Sequence, residues 1–93
     1  GVRAQVEQYL REGALVLDVR TAREYAAGHY PDAVNIPLAE LPHRLKELPD
    51  RQQPLVVHCH SGARSAVAVA LLHKAGYTQA VNAGGLSALP APR

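Results

Sequence analysis

The stretch of sequence that decides the fold is residues 55–76, LVVHCHSGARSAVAVALLHKAG. It opens with Leu55 to His58, a short and mainly apolar run that is typical of a strand covered on both faces of a parallel sheet. Ser65 to Ala75 is the clearest helix of the chain, and Gly76 follows at the position where glycine closes helices. This segment therefore predicts a buried strand, a short polar loop and a helix.

The same signals predict further elements on both sides of this segment. Helices are expected at Val2–Glu12 and from the capping box of Thr21 and Glu24 to Ala27. A third is expected at Leu38–Leu48; its regular part should begin near Leu41, because Pro42 is tolerated only in the first turn of a helix. Strands are expected at Ala14–Leu17, Ala33–Ile36 and Ala80–Asn82, the last before a Gly84-Gly85 turn. One more turn is expected at Leu86–Leu89, followed by a frayed tail from Pro90 to Arg93.

Strands that alternate with helices predict an α/β fold in which a small, mostly parallel sheet of four or five strands is flanked by helices on both faces. We expect one domain over residues 1–93. Ligands of such sheets bind at the carboxyl ends of the strands. Three special stretches fall there: Asp18–Arg20, Cys59–Arg64 and Gly84-Gly85.

Composition excludes several classes of function. The chain has 93 residues, 47% of them hydrophobic, with a net charge of +2 and one cysteine. These values argue against disorder and against an internal disulfide or a cysteine-based zinc site, and no apolar run is long enough for a membrane span. The basic residues are scattered, which argues against nucleic acid as a partner. Without a visible leader we expect a cytoplasmic protein, with an exported, periplasmic mature form as the alternative.

Cys59 is the candidate nucleophile. It stands between a strand and a helix, where unpaired N–H groups and the helix dipole favour a thiolate and bind anions. Gly62 lets the backbone curl, and Arg64 adds a permanent charge suited to oxyanions. A buried, structural thiol is the alternative interpretation, but the Cys-x-x-Gly-x-Arg spacing favours a reactive one.

Several stretches together resemble the rhodanese family of sulfurtransferases, in particular its single-domain members. The matching residues are Leu17-Asp18-Val19-Arg20, Glu24-Tyr25, Gly28-His29, Ala33-Val34-Asn35-Ile36-Pro37, Cys59-His60-Ser61-Gly62-Ala63-Arg64-Ser65, Gly76-Tyr77 and Asn82-Ala83-Gly84-Gly85-Leu86. The resemblance implies a sheet whose strands lie in the order Ala80–Asn82, Leu55–His58, Leu15–Val19 and Ala33–Ile36. Relatives usually carry an additional N-terminal strand, where this chain predicts a helix.

The resemblance also implies a mechanism without metal or organic cofactor. Cys59 would take sulfur from a small anionic donor such as thiosulfate, hold it as a persulfide, and pass it to cyanide or a thiol. The loop residues His60, Ser61, Gly62, Ala63, Arg64 and Ser65 would bind the substrate. In this scheme backbone N–H groups stabilise the anion, Ser61 donates a further hydrogen bond, and Arg64 orients the sulfonate end of thiosulfate.

Other polar residues receive supporting roles. Asp18 and Arg20, at the end of a neighbouring strand, are expected to support the site or to pair with each other. His58 is expected in the core and His60 at the mouth of the pocket. Adjacent strand residues face opposite ways, so His58-Cys59-His60 is not expected to bind a metal. His29 is expected to stabilise a turn by a hydrogen bond.

Two other classes of function stay open. Phosphatases and arsenate reductases of related fold are implied to have a loop one residue longer than the four residues between Cys59 and Arg64. A binding module, or a relay that hands the persulfide to a protein partner, is the other alternative.

Overall fold

Four parallel strands form the centre of the structure, a computed structural model that describes residues 1–92. The strands are β1 (Leu15–Asp18), β2 (Val34–Asn35), β3 (Leu55–Cys59) and β4 (Ala80–Gly85). The helices are α1 (Val2–Arg11), α2 (Ala22–Ala27) and α3 (Ala63–Lys74). None of these helices in residues 1–92 has the length and apolar character needed to cross a membrane.

The strands lie in the order β2-β1-β3-β4, and all neighbouring pairs are parallel. The predicted α/β class and the predicted strand order are both confirmed. Parallel strands cannot be joined by a tight turn, so each connection returns the chain to the same end of the sheet. These connections contain α2, the segment between β2 and β3, and α3. The carboxyl ends of β1 and β3 therefore meet at one edge, where Asp18 pairs with His58 in the register.

The strands bury both of their faces. On one face Leu17, Leu55 and Val57 pack in a cluster with Leu72 of α3, and Cys59 belongs to this cluster. On the other face Val16 and Val56 pack with Val6 of α1. Successive strand residues point to opposite faces, which is why β3 is a continuous buried run and why Cys59 faces α3.

The predicted helix at Leu38–Leu48 is wrong. The segment instead forms two single 3₁₀ turns, Leu41–His43 and Leu45–Glu47, which are separated by Arg44 with a φ of −122°. Pro42 has no N–H group with which a helix through Leu38 could be bonded, and the chain leaves the helical conformation again at Arg44. Leu41 and Leu48 are nevertheless buried, so the apolar spacing reports burial correctly but not the type of helix.

The C-terminal part differs from the prediction in two places. Gly84 and Gly85 belong to the end of β4 and do not form a turn after it. The tail is anchored at Pro90, because the Tyr30 hydroxyl donates a hydrogen bond of 3.0 Å to its carbonyl oxygen. The prediction of fraying is therefore wrong at Pro90, and Arg93 lies outside the described residues. The last turn is a 3₁₀ turn, Leu86–Ala88.

Asp18 and Arg20 form a buried ion pair at the end of β1. The Arg20 Nη2 group donates to Asp18 Oδ2 at 2.7 Å, and the Arg20 backbone N–H donates to Asp18 Oδ1 at 2.9 Å. Arg20 Nη2 also donates to the Gly28 carbonyl at 2.8 Å, which ties the end of β1 to the end of α2. The Asp18 carboxylate is therefore the main partner of the Arg20 guanidinium.

We predict that Asp18→Asn lowers the free energy of unfolding by about 3–5 kcal/mol, because it leaves the Arg20 charge buried without its partner. Urea denaturation of the variant and the parent protein measures this. Glu47→Gln is the matched control, since it removes one carboxylate of the exposed pair with Arg44 and should change stability little. Equal losses in the two variants would contradict a structural role for the buried pair.

Candidate active site

The site is built where β3 turns into α3. Cys59 is the last residue of β3, and α3 begins at Ala63. Gly62 has a φ of +101°, a left-handed conformation that glycine adopts without the steric cost of a Cβ atom. This sharp turn brings the first N–H groups of α3, which have no partner inside the helix, back toward the cysteine.

The Cys59 sulfur is surrounded by hydrogen-bond donors. The Gly62 N–H donates to Sγ at 3.0 Å and the Ser65 N–H at 3.3 Å, while the Ser65 Oγ lies 3.4 Å away. Cys59 itself is 1% exposed. The predicted juxtaposition of the thiol with the N–H groups of the loop is therefore present.

These contacts change the acidity of the thiol. Burial raises the pKa of Cys59, but hydrogen bonds from the Ser65 side chain and from the N–H groups of Ser65, Gly62 and Ser61 outweigh it and lower the pKa to about 7. A free cysteine has a pKa of about 8.5. The site therefore holds a large fraction of thiolate at neutral pH, and the thiolate is the nucleophilic form.

The end of β4 closes the loop from one side. A Cβ atom built on Gly85 would lie 2.1 Å from the His60 carbonyl oxygen, and one built on Gly62 would lie 3.3 Å from the Gly84 Cα atom. The predicted close approach of the Gly84-Gly85 backbone to the loop is confirmed. At Gly85 only a hydrogen fits between the two backbones.

Asn82 of β4 is a site residue that sequence reasoning missed. Its Nδ2 group donates to the Gly62 carbonyl at 3.2 Å, and its Oδ1 atom accepts from the Gly84 N–H at 3.0 Å and from the Ser65 hydroxyl at 2.6 Å. The side chain can reach the loop because β4 bulges after it, with Asn82 opposite Val57 but Gly84 opposite His58. The signal that could have found it is a polar residue in a predicted strand, because Asn82 lies opposite the buried Val57.

Arg64 is paired with a carboxylate of another helix. Its Nη1 and Nη2 groups donate to the two carboxylate oxygens of Glu24 at 2.7 and 2.9 Å. Hydrogen bonds from Arg64 and from the Thr21 backbone hold the pKa of Glu24 well below its usual range. Glu24 also completes the predicted capping box with Thr21, which is confirmed. The sequence revealed this local role but not the pairing with Arg64.

The remaining loop residues form the mouth of the site. His60, Ser61 and Ala63 are exposed, which fits both a His60 at the mouth of the pocket and a plain exposed histidine. Ser61 is exposed, and the group of Ser61 that lowers the pKa of Cys59 is its backbone N–H.

Asp18, Arg20 and His58 lie behind the site. His58 is fully buried, as predicted, and its Nε2 atom lies 3.7 Å from Asp18 Oδ2. Within residues 1–92 the hydrogen bonds of Asp18 reach Arg20 and do not reach the Cys59 sulfur. These residues therefore shape the end of the neighbouring strand. The structure likewise shows the expected turn contact of His29, whose Nδ1 atom lies 3.0 Å from the Tyr25 carbonyl.

Across residues 1–92, the side chains outside the Cys59 loop form no metal cluster, and some of them line a cavity away from it. The described residues contain no group of three or more His, Cys, Asp or Glu side chains arranged to hold a metal ion. A cavity of about 540 Å³ lies between α1, the Tyr30–Asp32 turn and the Pro90–Pro92 tail, and no residue of the Cys59 loop lines it.

Comparison with known proteins agrees with this geometry. A domain profile described as Rhodanese-like domain matches residues 2–90. A protein named Sulfurtransferase from Allochromatium vinosum is 40% identical over 74 residues, which are 80% of this chain and 68% of that protein. Thiosulfate sulfurtransferase PspE of Escherichia coli is 37% identical over 78 residues, 83% of this chain and 75% of PspE.

A solved structure described as rhodanese with anions from E. coli superposes with a TM-score of 0.80 at 36% identity, covering 86% of this chain and 95% of that one. Putative sulfur carrier protein YrkF of Bacillus subtilis is 38% identical over 71 residues, 76% of this chain but only 38% of YrkF. The chain is thus similar in sequence and in fold to proteins named for sulfur transfer.

We predict that the alkylation rate of Cys59 by iodoacetamide rises with pH around a midpoint near 7, because only the thiolate reacts. Ser65→Ala should move the midpoint upward, since the thiolate loses one hydrogen-bond donor. The measurement is a pH series of intact-mass labelling rates. A midpoint at or above about 8.5, the value of a free cysteine, would contradict the role of the loop.

Proposed function

This chain belongs to the rhodanese family of sulfurtransferases, and we propose that it moves sulfur as a persulfide on Cys59 from thiosulfate or a similar anionic donor to cyanide or a thiol. The observation that carries the proposal is the Cys59 sulfur, held at 3.0 and 3.3 Å from two N–H groups of the loop that begins α3. Those groups supply the hydrogen bonds that an anionic sulfur needs at neutral pH.

The reaction proceeds through two displacements. In the first, the Cys59 thiolate attacks the outer sulfur of thiosulfate, the sulfur–sulfur bond of the donor breaks, and sulfite leaves with the electron pair. In the second, a nucleophilic acceptor attacks the outer sulfur of the persulfide, and Cys59 leaves as the thiolate. Two displacements that share one covalent intermediate are ordinary nucleophilic catalysis, and the loop N–H groups contact the Cys59 sulfur at which both take place.

Arg64 is the residue suited to the sulfonate end of the donor. Its guanidinium lies at the mouth of the loop but is already bound by the Glu24 carboxylate. A sulfonate must therefore use the free N–H groups of Arg64 or displace Glu24. The pair lowers the positive charge at the mouth, so binding of a dianion is expected to be weaker than a free arginine would give.

The length of the loop favours sulfur transfer over phosphate chemistry. Four residues separate Cys59 from Arg64, and the loop is closed around a sulfur that is 1% exposed. A phosphoryl group brings three oxygens around its central atom, whereas the outer sulfur of thiosulfate carries none. A phosphatase or arsenate reductase activity is therefore the alternative that the experiment must exclude.

A protein is a plausible final acceptor of the sulfur. The exposed residues His60, Ser61 and Ala63 surround the entrance to the loop and can be reached by a partner. One relative, YrkF, is named a sulfur carrier protein, and this chain matches 38% of its length. A thiol on a partner protein has the same chemistry as a small thiol acceptor, so the relay is a variant of the same reaction.

We predict that incubation with thiosulfate adds one sulfur atom to the protein, on Cys59, and that cyanide removes it. Intact-mass analysis before and after each step measures this. In Cys59→Ser the mass should not change. Sulfur added in that variant, or aryl phosphate hydrolysis by the parent protein without sulfur uptake, would overturn the proposed function.

We further predict that Arg64→Ala weakens the use of thiosulfate roughly ten- to a hundredfold in kcat/KM, because a bound anion loses charged hydrogen bonds. Alkylation by iodoacetamide, which is neutral, should change little. Arg44→Ala is the matched control, since Arg44 also binds carboxylates but lies in the 3₁₀ turns between β2 and β3.

Glu24→Gln supplies the opposite test of this pair. Glutamine keeps the capping box but removes the charge that competes with the sulfonate for Arg64, so the KM for thiosulfate should fall. If Arg64→Ala slowed alkylation as much as thiosulfate use, Arg64 would merely hold the loop in place.

A further inference from the structure

The Ser65 hydroxyl has three polar neighbours and one proton to donate. Its oxygen lies 2.6 Å from Asn82 Oδ1, 3.2 Å from the Gly62 carbonyl oxygen and 3.4 Å from Cys59 Sγ. A hydroxyl group donates one hydrogen bond and accepts up to two. The three neighbours therefore compete for the same proton.

Contacts on both sides of the Asn82 amide fix its orientation. Its Nδ2 group donates to the Gly62 carbonyl, and its Oδ1 atom accepts from the Gly84 N–H. In the reversed amide, the oxygen would face the Gly62 carbonyl oxygen and the NH₂ group would face the Gly84 N–H, so neither contact could be a hydrogen bond. Oδ1 therefore faces Ser65, and because an amide oxygen only accepts, Ser65 donates to Asn82. Ser65 is then left with lone pairs toward Cys59 and accepts the proton of its thiol.

We propose that Asn82 is a positioning residue for sulfur transfer: its Oδ1 atom accepts the hydrogen bond of the Ser65 hydroxyl while the Cys59 sulfur is uncharged, and the hydroxyl, which keeps its proton, donates to Cys59 instead when the thiolate forms. The thiolate then gains a donor at the expense of the short bond between Ser65 and Asn82. The charged groups nearest the loop are Arg64 and its partner Glu24, with the Asp18–Arg20 pair behind them at the end of β1. His60 is a further titratable side chain of the loop itself, and β4 contributes only uncharged residues.

This exchange acts on the sulfur-transfer step, so its second half rests on the proposed function. When the thiolate attacks the donor, the new sulfur–sulfur bond forms, sulfite departs with the electron pair, and the negative charge moves to the outer sulfur. The inner Cys59 sulfur is then uncharged, and the Ser65 hydroxyl again donates its hydrogen bond to Asn82. Asn82 therefore favours the persulfide over the thiolate. It also keeps the thiolate a stronger nucleophile, since nucleophilicity falls as the pKa of a thiol falls.

The first test measures the pKa of Cys59 by thiolate absorbance and iodoacetamide labelling in Asn82→Ala. We expect the pKa to fall by about half to one unit, because the remaining competitor, the Gly62 carbonyl, is more distant than Asn82 was. In the Ser65→Ala background the same substitution should produce no fall, because Asn82 acts through the Ser65 proton. A structural role alone would loosen the loop and raise the pKa, so a rise in Asn82→Ala, or an equal fall in both backgrounds, overturns the proposal.

Asn82→Ser is a second variant for the same test, in case Asn82→Ala does not fold. Its hydroxyl can still accept the Gly84 N–H in a local turn, but the side chain is one bond too short for Ser65, so the same fall is expected.

The second test measures the ratio of persulfide to free Cys59 at a fixed ratio of thiosulfate to sulfite and at a pH where Cys59 is fully ionised. Asn82→Ala should lower this ratio about three- to tenfold, the factor that corresponds to the expected pKa change. An unchanged ratio overturns the proposal. A parent protein that takes up no sulfur overturns the proposed function instead, and the pKa measurements then decide the role of Asn82 alone.

Discussion

Hydrogen bonds from the first turn of α3 to a single sulfur atom are the interaction on which the rest of this structure depends. The N–H groups of Gly62 and Ser65 reach Cys59 only because the chain turns sharply at Gly62 and because Gly85 lets β4 lie directly against the loop. The parallel sheet supplies the frame, since it places the end of β3 beside the end of β4. A displacement of either backbone would move the donors away from the sulfur and leave a buried thiol without a means to ionise.

Fixed local dipoles, more than free charges, prepare this site. The two arginines at this edge of the sheet are both paired, Arg20 with Asp18 and Arg64 with Glu24. Burial opposes ionisation of Cys59, and the hydrogen bonds of the loop overcome it. Such donors are oriented before the substrate arrives, so no rearrangement is needed when charge develops on the sulfur. The ion pairs instead join elements of the structure. Arg20 also binds the Gly28 carbonyl at the end of α2, and Arg64, in the first turn of α3, binds Glu24 of α2.

The sequence was sufficient for the strands and for the position of Cys59, because these depend on local signals, whereas the order of the strands was implied by the resemblance to the rhodanese family. Apolar runs, the Thr21 capping box and the glycine after α3 are all read over a few neighbouring residues. Prediction failed at residues 38–48, where apolar spacing is the same for a helix and for two 3₁₀ turns, and where the interruption at Arg44 has no local signal. It also missed two side-chain contacts of the site. Arg64 meets Glu24 across 40 positions, and Asn82 reaches the loop through a bulge of β4, so neither contact has a local pattern.

The burial of the Cys59 sulfur has a consequence for oxidation. A disulfide bond between two copies would need their sulfur atoms about 2.05 Å apart, which a sulfur that is 1% exposed reaches only if its loop opens. Since the chain has one cysteine, no internal partner can form that bond either. The loop thus lowers the pKa of the thiol to about 7 and at the same time covers it, so the thiol is acidic but meets a bulky disulfide only if the loop opens. In the persulfide of the proposed function, the outer sulfur would lie one bond farther from the Cys59 backbone than the thiol does, so a large acceptor would meet that atom first.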